Sequence, residues 1–218
     1  PWNDTASAGG SSGGAASAVM MGMGALAHGN DIGGSLRFPA YACGAATVKP
    51  GLGRVPAYNP SAAAERGPLS QIMSVQGVIA RSVDDVRAGM RALVNYDPHD
   101  PWMVPMPFDG EPLGTPKVAF TKNMHEFELT PEVEHALDVA RNALERAGYV
   151  VEEVEPPLLR EAAEVGARCL FGETKAFLGP DVRQHGSATV NAIFDEYFRQ
   201  FPPYEGVDLL KAMADRSR

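Results

Sequence analysis

Two serine residues set among glycines have the clearest capacity for chemistry in this sequence. Ser11 lies in residues 9–14 (GGSSGG), and Ser35 lies in residues 29–39 (GNDIGGSLRFP). A serine hydroxyl can attack a carbonyl carbon or relay a proton. Glycine lets the backbone bring successive amides close to another group. The two runs therefore indicate a hydrolase site that is built from hydroxyls and main-chain amides.

The chemistry suited to such a site is the cleavage of an amide. An amide nitrogen is a poor leaving group, so it must receive a proton as it departs. A hydroxyl between a base and the nucleophile can take the proton of the attacking serine and deliver it to that nitrogen. Amides made available by Gly33 and Gly34 can converge on the developing oxyanion, and each such donor is worth about 2.7–4 kcal/mol.

Three other interpretations of the first run are weaker. A glycine-serine run is typical of a flexible linker, but this one continues directly into residues 15–23, which are uncharged and rich in Ala, Val and Met. A phosphate-binding loop closes on Lys followed by Ser or Thr, whereas residues 14–16 are GAA. A dinucleotide-binding fingerprint at residues 22–24 lacks a correctly spaced third glycine and an acidic partner for the ribose.

Composition limits the class of protein. The chain has 218 residues, of which 44% are hydrophobic and 21% charged, so it can bury a sizeable core. The formal net charge of −8 argues against direct binding of nucleic acid, and no apolar run is long enough to cross a bilayer. The two cysteines, Cys43 and Cys169, are too few for a disulfide framework and indicate the cytoplasm. The histidines show no metal-ligand spacing, so we expect no metal site.

The first half of the chain predicts helices and strands around the two serine runs. The apolar residues 15–23 predict a buried helix, and residues 26–30 predict a short buried strand that ends at Asp31. Ser82 begins a further helix, with Asp85 as its capping-box partner. The apolar stripe of that helix consists of Val83, Val86, Met90 and Val94.

The second half predicts a strand, a helix and a strand. Residues 97–116 are rich in proline and predict a long surface connection. Residues 118–120 predict a strand. A helix follows, capped by Thr130 with proline at its first position and ended by Gly148. Residues 149–154 predict the next strand, so the spacing indicates a right-handed parallel crossover and an α/β fold.

The rest of the chain reads as helical. Residues 158–218 are mostly helical in pattern, with breaks at residues 179–180 and 202–203. We divide the chain into residues 1–95, which hold the serine runs, and residues 96–218, which continue the same α/β domain after the proline-rich connection.

Residues 9–50 closely resemble the amidase signature family of serine hydrolases. The matching motifs are GGSSGG at residues 9–14, GNDIGGSLRFPAYACG at residues 29–44 and VKPGLGRVP at residues 48–56. The 24 positions between the two serines also fit the spacing in that family. Residues 75–82 (VQGVIARS) resemble the segment before a family helix, with QGV departing from the common Gly-Pro.

The resemblance implies a Ser–Ser–Lys triad that works without a metal or an organic cofactor. Ser35 matches the nucleophile, which forms an acyl-serine. Ser11 matches the bridging serine, whose preceding peptide bond is cis in the family. The main-chain amides of Ile32, Gly33 and Gly34, together with that of the nucleophile, match the oxyanion hole. The resemblance also implies a mixed central sheet covered by helices on both faces, present here as a partial domain that is truncated at both ends.

Ser12, Asp31 and Arg37 are expected to support the site. Asp31 and Arg37 are six positions apart around the glycines of the second run, so they can pair and hold its shape. Ser12 matches a position near the catalytic network of the family, and capping of the following helix is the alternative role.

The general base of the family is a Lys well upstream of the first serine run, a region that this sequence does not contain. Lys49 matches the Lys of the VKPG segment, which is not the base in the family. We therefore expect a fragment of a longer protein. We also expect this polypeptide, on its own, to lack hydrolytic competence.

The function expected is hydrolysis of a small-molecule carboxylic amide to an acid and an amine or ammonia. We expect no direct nucleic-acid partner and no membrane partner, and we leave a homodimer open. One alternative is the glutaminase subunit of a tRNA-dependent amidotransferase, which shares these motifs. A non-catalytic scaffold that kept the fold after losing its base is the other.

Overall fold

The computed structural model of the chain describes residues 2–62, 66–111 and 114–215. Four stretches of the sequence-based prediction fall outside the described residues. They are Pro1 and residues 63–65 of the first expected part, residues 112–113 in the proline-rich connection, and residues 216–218 at the end of the second part.

The described residues form two compact units. The first unit extends to Phe108 and also includes Gly172–Phe194. The second unit comprises Asp109–Phe171 and the residues from Asp195 onwards. The chain therefore passes from one unit to the other more than once, and the expected division at residue 95 stays a prediction.

The first unit contains a three-stranded antiparallel sheet. Its strands are β1 (Leu26–Asp31), β2 (Ala46–Thr47) and β3 (Val75–Ala80), in the spatial order β1-β3-β2. The strand expected at residues 26–30 is thus confirmed. It is only partly buried, however, because Leu26 at its start is 44% exposed.

The described residues before Phe108 also form four helices, of which the first, second and fourth contact this sheet. They are α1 (Gly13–Met20), α2 (Arg37–Cys43), α3 (Pro68–Met73) and α4 (Val83–Leu93). The helix expected over residues 15–23 is α1, which buries Ala16 and Val19. It ends before Met21 because Gly22 takes a left-handed conformation at φ +78°.

Ser82 caps α4 as expected. Its hydroxyl accepts a hydrogen bond from the Asp85 amide at 3.1 Å and donates one to the Asp85 carboxylate at 2.8 Å. Both partners of the expected capping box therefore contact each other, and the Asp85 amide in the first turn of the helix has a hydrogen-bond acceptor.

The apolar stripe of α4 is confirmed except at its first residue. Val86 and Met90 are buried in one cluster with Val78 of β3. Val83 was expected in this stripe but is 74% exposed. The helix packs on β3 through its second and third turns, and Val83 lies before that contact.

The second unit contains the expected strand, helix and strand. The strands β4 (Lys117–Phe120) and β5 (Val150–Glu153) pair in parallel, and α5 (Pro131–Arg146) joins them. Gly148 follows the helix at φ +89°, the conformation expected of its terminating glycine. The order predicted from the sequence is confirmed.

Thr130 occupies the N-cap position of α5 but does not cap it with its side chain. The amide of Val133, which a capping side chain would accept from, donates instead to the carbonyl oxygen of Thr130 at 3.0 Å. The expected capping bond of the side chain is therefore wrong, because the main chain of the same residue already satisfies this amide.

The helical pattern expected from residue 158 onwards is confirmed over the described residues, which end at Asp215. The helices are α6 (Leu159–Phe177), α7 (Gly179–His185), α8 (Ala188–Gln200) and α9 (Gly206–Ala214). The break at residues 202–203 lies between α8 and α9. The expected break at residues 179–180 is present one residue earlier, at Leu178 between α6 and α7. Residues 179–180 form the first turn of α7, where no intrahelical bond needs the proline amide.

The α/β class is confirmed. Within the described residues the strands form two small sheets, the antiparallel β1-β3-β2 and the parallel β4-β5. Antiparallel and parallel pairing are thus divided between two sheets instead of being combined in one. The reason is that β3 is paired on both of its edges, while β4 and β5 pair with each other.

Candidate active site

The loop between β1 and α2 carries the second serine run. It begins at Asp31 and ends at Leu36, and both side chains are fully buried. Gly34 within it lies at φ +120°, a conformation that side chains rarely adopt. Ser35 is half-buried and directly precedes Leu36, the N-cap residue of α2. A tight glycine loop anchored at both ends therefore presents this serine.

The first serine run is hydrogen-bonded to the second. The amide of Ser12 donates to the carbonyl oxygen of Ser35 at 3.2 Å. The peptide bond between Gly10 and Ser11 is cis, as the resemblance implies. Ser11 itself is exposed. The two segments that sequence analysis expected to act together are thus adjacent in space.

Ser12 packs against β1 and does not cap α1 with its side chain. Its hydroxyl oxygen lies 2.7 Å from the position that a Cβ atom on Gly29 would occupy. The Cδ2 atom of Leu36 lies at the same distance from that position. Glycine at residue 29 therefore allows both serine-bearing segments to approach the strand closely.

Asp31 holds the loop through several hydrogen bonds. Its carboxylate accepts from the amides of Gly34 at 2.9 Å and Leu36 at 3.2 Å. The Nε and Nη2 atoms of Arg37 each donate to it at 3.0 Å. Burial raises the pKa of this carboxyl, but the bonds from Arg37, from the two amides and from Lys49 outweigh burial and hold the pKa well below its usual range. The expected pairing of Asp31 with Arg37 is present, on an ionised carboxylate.

Lys49 reaches the same loop from the segment after β2. Its Nζ atom donates to the carbonyl oxygen of Ile32 at 2.7 Å and to that of Met73 at 3.3 Å. It also lies 3.2 Å from Asp31 Oδ1. Sequence reasoning set Lys49 aside because it does not match the base, and nothing in its spacing signalled these contacts. Lys49 therefore joins the loop to the end of α3.

The main-chain amides expected to form the oxyanion hole lie in this loop. Gly33 is exposed, while Ile32 and Gly34 are half-buried. Since the Gly34 amide already donates to Asp31, it helps to fix the shape of the loop. The role of these amides in catalysis stays a prediction.

Two polar features of the first unit gave no recognisable signal in the sequence. Glu173 of α6 is 2% exposed, and it accepts hydrogen bonds from the amides of Leu69 and Ser70 at the start of α3. A cavity of about 700 Å³ is lined by residues that include Asn30 and Gln76, which are register partners in β1 and β3. Both features depend on contacts between residues distant in the sequence.

A family model described as Amidase matches residues 1–217. The chain belongs to the Amidase family. The resemblance carried by the two serine runs is thereby confirmed.

Curated proteins of this family match the chain over most of its length. The indoleacetamide hydrolase of Bradyrhizobium diazoefficiens is 52% identical over 175 residues, which cover 80% of this chain and 33% of that protein. A subunit of the glutamyl-tRNA(Gln) amidotransferase of a Sulfurihydrogenibium species is 34% identical over 170 residues, which cover 75% of this chain and 34% of that protein. The chain thus spans about a third of the length of the curated relatives it matches.

A solved structure confirms the fold. A bacterial aryl acylamidase that belongs to the amidase signature family superposes with a TM-score of 0.70 at 22% identity. The superposition covers 96% of this chain and 45% of that chain.

The described residues also bear on two other classes of site. None of their helices is both long enough and apolar enough to span a membrane. In the same part of the chain, no group of three or more His, Cys, Asp or Glu side chains is arranged to hold a metal ion.

Proposed function

We propose that the protein hydrolyses a carboxylic amide through an acyl intermediate on Ser35. The observation that carries the proposal is the hydrogen bond between the Ser12 amide and the Ser35 carbonyl, because it joins the segment of the bridging serine to that of the nucleophile. Membership of the Amidase family and the indoleacetamide hydrolase relative support an amide as the bond cleaved.

In the proposed mechanism the Ser35 hydroxyl attacks the carbonyl carbon of the amide. Ser11 receives the proton of Ser35 and passes its own to the base. The proton then returns through Ser11 to the amide nitrogen, so that the C–N bond breaks and the amine leaves. Water hydrolyses the acyl-Ser35 ester by the same proton path and releases the acid.

The oxyanion that forms in each step needs preorganised donors. We assign this role to the main-chain amides of Ile32 and Gly33, and each donor contributes about 2.7–4 kcal/mol to transition-state stabilisation. The Gly34 amide, which was also expected in the hole, donates to Asp31 and holds the loop. Asp31 and Arg37 support these donors by fixing the loop through an ion pair between the buried carboxylate and the exposed guanidinium group.

We assign the base to a Lys upstream of these 218 residues, as in the family pattern. Lys49 is not suited to the role because its ammonium group already contacts two carbonyl oxygens and a carboxylate. A polypeptide limited to these residues should therefore hydrolyse amides far more slowly than the complete natural polypeptide. Equal turnover by the two would defeat this part of the proposal.

We further propose a cytoplasmic enzyme that needs neither a metal nor an organic cofactor. Cys43 and Cys169 are both buried thiols without a disulfide, which suits a reducing compartment. The net charge of −8 favours a small-molecule substrate over direct contact with nucleic acid.

The test is release of ammonia from indole-3-acetamide by the complete natural polypeptide, with glutamine as the comparison substrate. We expect indole-3-acetamide to be preferred, because the relative named for it is more similar to the chain than the amidotransferase relative. Ser35→Ala and Ser11→Ala should each lower kcat at least about a thousandfold. Ser82→Ala, which removes a hydroxyl on α4, is the control and should leave kcat unchanged. Undiminished hydrolysis by the Ser35→Ala variant would refute the proposal.

A further inference from the structure

Lys49 donates a hydrogen bond to a main-chain carbonyl oxygen of the proposed oxyanion loop, that of Ile32. Its side chain is 26% exposed, and its Nζ atom lies within 3.3 Å of three oxygens, those of Ile32, Met73 and Asp31. An ammonium group has three N–H donors. Lys49 can therefore give one donor to each oxygen, and the shortest contact, at 2.7 Å, is the one to Ile32.

The bond to the Ile32 carbonyl also fixes the direction of the Gly33 amide. These two groups belong to one peptide plane, and in a trans peptide the C=O and the N–H point in opposite directions. The cis bond found in the described residues lies elsewhere, between Gly10 and Ser11. Because Lys49 holds the Ile32 oxygen on one side of the chain, the Gly33 N–H must point away from Lys49, to the opposite side of the chain.

The next amide along the loop is held from a different direction. The Gly34 N–H donates to the buried carboxylate of Asp31 at 2.9 Å. Glycine at residues 33 and 34 has no side chain to restrict rotation of the intervening peptide planes. Without the Lys49 bond, the plane between Ile32 and Gly33 could turn over at little steric cost.

We propose that Lys49 is a positioning residue that keeps the Gly33 amide aimed at the oxyanion. This inference rests on the proposed function, since it assigns a role within that reaction. Lys49 does not touch the substrate and does not transfer a proton. It acts through the orientation of one peptide plane, so its loss weakens binding of the transition state more than binding of the substrate.

The experiment compares Lys49→Met and Lys49→Arg with the unaltered protein, in the complete natural polypeptide. Methionine keeps much of the length and apolar stem of lysine but cannot donate, whereas arginine keeps the positive charge and the donors. Lys117→Met is the matched control, because Lys117 is an exposed lysine that pairs with Glu152 on β5. Active sites are titrated in each sample, so that a loss of folded protein is not counted as a loss of rate.

We expect Lys49→Met to lower kcat for the amide about a hundredfold to a thousandfold, with KM changed less than about threefold. Lys49→Arg should recover at least about tenfold of that loss. The shape of the pH profile of kcat/KM should stay the same in both variants, because Lys49 is not the base. Lys117→Met should match the unaltered protein.

Three results would overturn the inference. The first is an unchanged kcat per active site in Lys49→Met. The second is a rise in KM that accounts for the whole fall in kcat/KM of Lys49→Met, which would place Lys49 in substrate binding. The third is the disappearance of one limb of the pH profile, which would make Lys49 the base. If the unaltered protein fails to hydrolyse amides, the proposed function itself fails, and the inference fails with it.

A second measurement reports on the peptide plane directly and does not depend on activity, and the dispersion of the same spectrum shows whether the variant is folded. In the ¹⁵N-labelled Lys49→Met variant, the backbone amide resonance of Gly33 should shift, double or broaden, because its peptide plane is no longer held, and in Lys49→Arg it should lie closer to its original position. An unchanged Gly33 resonance in Lys49→Met would show that the donor at residue 49 does not set the plane and would contradict the inference.

Discussion

The pairing of Asp31 with Arg37 could be predicted from the residue types, but the contacts of Asp31 with the main chain could not. The sequence predicted that it would pair with Arg37, because the two residues bracket a glycine loop with opposite charges. Its bonds to the Gly34 and Leu36 amides were not predicted, since they depend on the path of the backbone. The contacts of Lys49 and Glu173 escaped prediction for the same reason, as each joins segments that are far apart in the sequence.

The buried carboxylate of Asp31 predicts a specific dependence of stability on pH. Its pKa is lower in the folded protein than in the unfolded chain, so ionised Asp31 stabilises the fold at every pH above its unfolded value of about 4. That contribution is lost as the pH falls below about 4 towards the folded pKa. The free energy of unfolding, measured with urea from pH 7 to pH 2, should therefore decrease over this acid range.

The variant Asp31→Asn separates this residue from the other carboxylates. It should lower the free energy of unfolding at pH 7 by about 1.5–3 kcal/mol, because the amides and cations that donate to Asp31 lose their charged acceptor, and the stability of the variant should fall less steeply in acid. Asp97→Asn is the comparison, since Asp97 is a partly buried carboxylate whose pKa is also lowered, by hydrogen bonds from His99. An acid slope that is identical in the unaltered protein and Asp31→Asn would contradict the account of Asp31.

At the scale of elements, local signals with a clear physical mechanism were predicted well. The capping box of α4 and the crossover from β4 through α5 to β5 are set by neighbouring residues and by spacing. The sequence did not predict α2, α3, β2 or β3. Of these, α2 has Pro39 in its first turn, α3 has six residues, and β3 is buried on nearly every residue and so lacks alternation.

The two N-cap residues of α4 and α5 provide a matched pair of variants. Ser82→Ala should destabilise α4 by about 1 kcal/mol, because it removes the bond to the Asp85 amide. Thr130→Ala should have less than half that effect on α5, because its side chain makes no capping bond. Hydrogen exchange of the amides in each first turn measures the two effects separately. Equal effects of the two substitutions would contradict the predicted difference between the two caps.

At the scale of the whole molecule, the α/β class could be predicted from the alternation of elements, and the family from the serine runs. The assignment of residues to the two compact units could not. Gly172–Phe194 belongs to the unit that carries the serine runs, and it lies more than ninety residues after β3. Such a return of the chain depends on long-range packing, for which helical periodicity in α6 and α7 gives no signal.

Covalent labelling with a fluorophosphonate tests the central claim most directly. The complete natural polypeptide is treated with the reagent, digested and analysed by tandem mass spectrometry, with Ser35→Ala as the control. The account predicts a phosphonyl adduct on Ser35, no adduct on the alanine variant, and loss of amide hydrolysis in step with labelling. Full hydrolytic activity with Ser35 unmodified, or an adduct confined to another serine, would contradict it.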